Sequence, residues 1–234
     1  MPSPGKDITQ GSSSSDIDAF LDRARQVGKP AANSRGRLIF ALDATLSRQP
    51  TWDIAQSLQG RMFDAAAGLG GLDVQLVYFR GLNECRASRF VTNGDGLAAL
   101  MSKIDVRGGE TQIGKVLNHT MAEAKVEKVG ALVFVGDAVE ENADELCAQA
   151  GEVSLLGVKA FMFHEGHDPD AARCFREIAR ITGGAYATFD AAAPKRLAGL
   201  LAAAAAYAAG GRAALEKQAL EGGDAAKLLL TQMR

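Results

Sequence analysis

The run Leu38-Ile39-Phe40-Ala41-Leu42, five apolar residues that stop abruptly at Asp43, constrains this chain more than any other stretch. It is too short for a helix and has no polar alternation. That is how a strand buried on both faces of a parallel sheet reads. Three oxygen-bearing side chains then follow at alternate positions: Asp43, Thr45 and Ser47. A carboxylate and two hydroxyls at the end of a core strand can converge on one small volume. Hard divalent cations such as Mg²⁺ take this donor type. The first expectation is therefore a divalent-cation site, completed by groups from later in the chain.

The rest of the chain alternates strands with helices. Residues 1 to about 14 are rich in Ser, Gly and Pro and predict disorder, followed by a short helix capped by Ser15 with Ile17, Phe20, Leu21 and Ala24 on one face, and a linker over 28–35. After the first strand, 52–67 is helical, with Ile54, Leu58, Met62 and Ala66 on one stripe. Strands follow at 74–79 and 86–91, the second so soon after the first that it pairs antiparallel at a sheet edge. A short helix covers 96–103, and Thr111 is placed to cap a long helix buried through Ile113, Val116, Leu117, Met121 and Ala124. Strand 131–135 ends at Gly136-Asp137, and helix 142–151, strand 158–163, helix 170–182 and strand 186–189 complete the alternation. An Ala- and Leu-rich helix runs from Pro194 through Ala209, and one or two small amphipathic helices broken at Gly222-Gly223 close the chain.

This pattern predicts an α/β fold: a doubly wound, mostly parallel six-stranded sheet with one antiparallel edge strand and helices on both faces. The organisation expected is an N-terminal segment over 1–34, a folded domain over 35–211 and a helical tail over 212–234. In such folds the ligand site lies outside the carboxyl ends of the strands, where the strand order reverses. With order 3-2-1-4-5-6, Asp43 and Asp137 follow neighbouring strands that straddle that crevice.

Composition removes other classes. A net charge of −2 over 234 residues argues against nucleic-acid binding, which needs basic stripes to displace counterions. No apolar run approaches the roughly 20 residues of a membrane span, and the N-terminus has no hydrophobic signal segment. Cys85, Cys147 and Cys174 are odd in number and far apart, which reads as buried free thiols in a reducing cytoplasm.

Four features together resemble a von Willebrand factor type A domain, also called an integrin I-like domain: the segment DATLS, the loop GGETQIG, the strand-terminal Asp137 and the segment ARITGGAYATF. The resemblance spans about residues 35–211. It implies a metal site built from D-x-S-x-S, a Thr in a later loop and an Asp closing the fourth strand. Asp43 and Ser47 match this pattern, Thr45 stands where the family usually has Ser, Thr111 fits the loop threonine, and Asp137 fits the last acid although GDA replaces the common TDG. The resemblance implies Mg²⁺ or Mn²⁺ touched by Ser47, Thr45 and sometimes Thr111, with Asp43 and Asp137 acting mostly through water. An Asp or Glu of a partner protein then takes the open position, and the Ala-rich helix shifts in response. It further implies a non-catalytic adaptor, with partners such as AAA+ ATPases or other multi-subunit machines.

Two alternatives carry different expectations. A Mg²⁺-dependent phosphohydrolase would also begin with a strand-terminal aspartate, but it needs a second acid two residues on, where Thr45 stands. A degenerate domain would bind partners without metal. The segment FHEGHD puts His164, Glu165, His167 and Asp168 after the fifth strand, which reads as a solvated loop with Asp168 or Asp170 near a helix start. GLGGL at 68–72 follows a helix and precedes a strand, the reverse of a phosphate loop, and so is a helix stop.

Overall fold

Buried on both sides along its whole length, the strand β1 (Gly36–Asp43) lies at the centre of the sheet. A computed structural model describes residues 35–45, 49–190 and 193–233. The short helix expected after Ser15, the linker up to residue 34 and Ser47 lie outside the described residues. From β1 the chain runs through α1 (Gln49–Leu58), α2 (Gly60–Ala66), β2 (Leu72–Arg80), β3 (Glu84–Val91), α3 (Gly94–Met101) and α4 (Ile113–Val126). Then come β4 (Ala131–Gly136), α5 (Ala143–Leu155), β5 (Lys159–Glu165), α6 (Pro169–Thr182), β6 (Ala185–Phe189), α7 (Pro194–Leu220) and α8 (Asp224–Leu230).

The sheet order is β3-β2-β1-β4-β5-β6. β1 pairs parallel with β2 and β4, β4 with β5, and β5 with β6, while β3 is antiparallel to β2 at one edge. Alternation along each strand separates two apolar layers. Leu38, Phe40, Leu42, Val133, Val135, Phe161 and Phe163 face α1, α2, α3 and α7. Ile39, Ala41, Leu132, Phe134, Ala160 and Met162 face α4, α5 and α6. This is the mostly parallel, doubly wound sheet expected from the sequence.

The differences have local causes. The helix expected over 52–67 is two helices that meet at Gln59, whose backbone stays in the α region (φ −58°, ψ −30°). α7 does not stop near residue 209 but runs on to Leu220, with Gly211 in a non-helical conformation at a kink. Contrary to the expectation that no apolar run approaches a membrane span, α7 is long and apolar enough by length and composition to cross one, its apolar character coming largely from alanine. Here Leu200, Leu201, Ala203, Ala204 and Ala205 are buried against the sheet. The close approach leaves no space at Gly36, where a Cβ would stand 2.5 Å from the Ala208 carbonyl oxygen. The tail folds back: Ala226, Leu229 and Met233 are buried in the same layer as Leu201. It also engages the exposed edge of β6, where the Gln232 side chain accepts the Tyr186 amide proton at 3.0 Å and donates to the Tyr186 carbonyl at 2.9 Å.

Candidate functional site

Parallel pairing fixes what meets at the carboxyl edge. Leu42 is opposite Val135, so Asp43 comes level with Gly136, and Asp137 is the next residue. Asp43 is 4% exposed and Thr45 8% exposed. The Thr45 amide donates to Asp43 Oδ1 at 2.8 Å, which folds the chain sharply as it leaves β1. Ala44 is held on both sides, its amide donating to the Phe79 carbonyl and its carbonyl accepting from the Arg107 amide. That second bond ties the loop before α4 to the end of β1.

Thr111, also 8% exposed, sits in that loop. Its amide donates to a Glu140 carboxylate oxygen at 2.7 Å, and its hydroxyl oxygen accepts the Glu140 amide at 3.0 Å. Glu140 lies three residues beyond Asp137, so the Thr111 loop is joined directly to the loop that carries Asp137. Thr111 was expected to cap α4, but the helix is capped otherwise. The Glu141 carboxylate accepts the Ile113 and Gly114 amides at 2.5 and 2.9 Å, which satisfies donors that a helix start leaves open. The other side of the loop rests on the β2–β3 turn. Gln112 Nε2 donates to the Arg80 and Gly81 carbonyls, the Glu110 amide also donates to Gly81, and a Cβ on Gly109 would fall 2.2 Å from the Gly81 nitrogen.

Asp43, Thr45, Thr111 and Asp137 therefore share one edge, contributed by three loops. Among the described residues no group of three or more His, Cys, Asp and Glu is placed to hold a metal ion. An ion at this edge would depend on hydroxyl oxygens beside two carboxylates.

His164 and its neighbours depart from the solvated loop expected of FHEGHD. β5 runs to Glu165, and His164 is fully buried in phase with Ala160 and Met162. Burial pushes its pKa below the ordinary histidine value, against the raising effect of its bond to the Asp137 backbone. Asp168 does cap α6, accepting the Ala171 amide at 2.7 Å, with Pro169 beginning the helix. The Glu165 carboxylate accepts a hydrogen bond from the Thr51 hydroxyl of α1. Beside it an open cleft of ≈ 420 Å³ is lined by Glu165, His167, Thr188, Asp190 and Arg196.

Sequence spacing offered no sign of the Glu140 and Glu141 contacts, because the residues they bond lie some thirty positions upstream. The burial of His164 did leave a trace, since Ala160, Met162 and His164 alternate on one face of a strand.

No protein-family model matches the chain, and no curated protein sequence matches it. Solved structures do. The SpRpn10 VWA domain is 12% identical, covering 70% of this chain and 95% of that one, with a TM-score of 0.53. An aerotolerance-related membrane protein from Bacteroides fragilis is 20% identical over 68% of this chain and 95% of that one, with a TM-score of 0.52. Proximal thread matrix protein 1 from the mussel byssus, solved with a zinc-occupied MIDAS motif, is 14% identical with a TM-score of 0.56, covering 82% of this chain and 52% of that protein. The fold is that of a von Willebrand factor type A domain.

Proposed function

On the von Willebrand factor type A fold that this chain has, we propose a cation-dependent protein-binding module that captures an acidic side chain of a partner at the carboxyl edge of its sheet. The observation that carries this reading is the parallel register of β1 with β4, which sets Asp43 beside Gly136 and Asp137. The donor chemistry also supports it. Asp43, Thr45, Thr111 and Asp137 offer oxygens only, the choice of Mg²⁺ and Mn²⁺ rather than of softer metals. Ser47 belongs to the same proposed set on sequence grounds. The zinc-occupied motif of the mussel protein supports a divalent ion at this kind of edge.

When bound, the ion supplies a positive centre that a partner carboxylate completes. The chain's own residues do the rest. Asp43 orients Thr45 through its amide, and the Thr111–Glu140 contacts hold the second and third loops together. The reading is of a binder rather than a phosphohydrolase, because threonine occupies the position where the second catalytic acid would stand. The proposed partner is a protein presenting Asp or Glu, within a multi-subunit machine such as an AAA+ ATPase. A reducing, cytoplasmic setting fits the three free cysteines, with burial raising each thiol's pKa and that of Cys174 to about 11.

Calorimetry with Mg²⁺ and Mn²⁺ tests the reading. Saturable heat in the wild type that vanishes in Asp43→Ala supports it. No heat in the wild type, or equal heat in the variant, overturns it.

A further inference from the structure

Asp137 is held from behind by a buried pair that lies outside the oxygen donors. His164 Nε2 lies 3.2 Å from the Asp137 carbonyl oxygen, and His164 Nδ1 lies 2.9 Å from the Tyr186 hydroxyl. A carbonyl oxygen can only accept, so Nε2 carries the proton. In the neutral ring Nδ1 then accepts from the Tyr186 O–H. The neighbours thereby select one tautomer and use both ring nitrogens. Packing restrains the ring further, with Phe175 edge-on at 5.4 Å between centroids. Tyr186 is itself fixed: the Arg176 guanidinium lies 4.7 Å from its ring centroid, and Gln232 takes both its backbone groups.

We propose that His164 and Tyr186 are positioning residues for Asp137, holding the backbone that leaves β4 so that its carboxylate stays at the edge it shares with Asp43. The inference rests on the cation-site reading above, and a failure of either can be told apart. His164 is fully buried, and its contact is with the peptide that carries Asp137. Outer contacts of this kind orient ligand residues, and their loss commonly weakens metal affinity ten- to a hundredfold.

The test uses the full chain, Mg²⁺ alone as the probe, and the variants Tyr186→Phe, His164→Leu and His164→Gln. Tyr186→Phe removes one hydroxyl and is the least disturbing. It is expected to weaken Mg²⁺ binding about tenfold and to quicken amide exchange at Asp137 and Ala138, leaving exchange in α6 unchanged. His164→Leu should do the same more strongly, and His164→Gln, which keeps an N–H donor, should recover part of the loss. Nitrogen NMR of His164 should show the Nε2–H tautomer in the wild type.

Equal Mg²⁺ affinity and equal exchange at 137–138 in wild type and Tyr186→Phe would overturn the inference while leaving the cation site standing. A fall in affinity accompanied by uniformly faster exchange through α6 would assign the pair a purely structural role and overturn it as well. If the wild type itself gives no Mg²⁺ heat, the cation reading fails, and exchange at 137–138 alone decides: faster in Tyr186→Phe upholds the positioning role, unchanged removes it. Should His164→Leu not fold, Tyr186→Phe carries the decision.

Discussion

Thr111 and Glu140 hold each other by two hydrogen bonds running in opposite senses, the threonine amide to the glutamate carboxylate and the glutamate amide to the threonine hydroxyl. Residues 29 apart in sequence thus join the loop before α4 to the loop after β4. Because the Glu140 side chain is exposed, solvent weakens its share. Thr111→Val and Glu140→Ala each remove one of the two bonds, and each is expected to cost about 1 kcal/mol in urea unfolding, the exposed glutamate less. No loss in either variant would mean that the loops are not joined through this pair.

Glu141 serves α4 as a cap supplied from a distant loop. Glu141→Ala leaves the Ile113 and Gly114 amides without that partner and is expected to cost about 1 kcal/mol. Hydrogen exchange should accelerate in the first turn of α4 and not in its middle. Uniform exchange along the helix would place the loss elsewhere.

Gly109 has no room for a side chain against Gly81. Gly109→Ala should move the loop that carries Thr111 and destabilise the protein by about 1–3 kcal/mol, as overpacking does. Gly68→Ala, where nothing lies near a Cβ, serves as the control and should have little effect by comparison. Equal midpoints for the two variants would remove the close contact from the account of the site.

His119 is half-buried, with its Nε2 2.8 Å from Gln75 Oε1. Burial lowers its pKa from the ordinary 6.5, against the opposing pull of Glu123. Well above pH 6.5 the ring is neutral whether the chain is folded or not. As pH falls below that value the unfolded chain takes the proton first, so stability declines until the lower folded-state pKa is passed. Unfolding free energies measured between about pH 5 and 8 should show this decline, and His119→Gln should reduce it. An unchanged slope in the variant would acquit His119.

If the carboxyl edge binds Mg²⁺, adding the ion at a hundred times its dissociation constant should raise unfolding stability by about 2.7 kcal/mol. Asp43→Asn keeps an oxygen for the Thr45 amide but removes one of two neighbouring negative charges. It should abolish the response to Mg²⁺, read as the difference between the midpoints with Mg²⁺ and in EDTA. A variant still stabilised by Mg²⁺ would place the ion elsewhere.

Much of this architecture was legible beforehand because burial leaves a periodic mark. The unbroken run Leu38–Leu42 reads as a strand buried on both faces, and its place next to β4 makes Asp43 and Asp137 neighbours. Polar contacts between loops leave no such mark, so nothing in the sequence singles out Glu140 and Glu141. Proline and glycine in HEGHDP suggested a loop two residues too early and hid His164, whose burial depends on a partner, Tyr186, 22 residues away. Ser47, outside the described residues, stands as the sequence presents it.

The amide of Gln232 does for β6 what a seventh strand would do, meeting the two Tyr186 groups that point away from β5. A second molecule sliding alongside finds that rung of the ladder already taken. Lifting the last ten residues away would uncover those two groups, the kind of open strand edge along which one chain can pair with another.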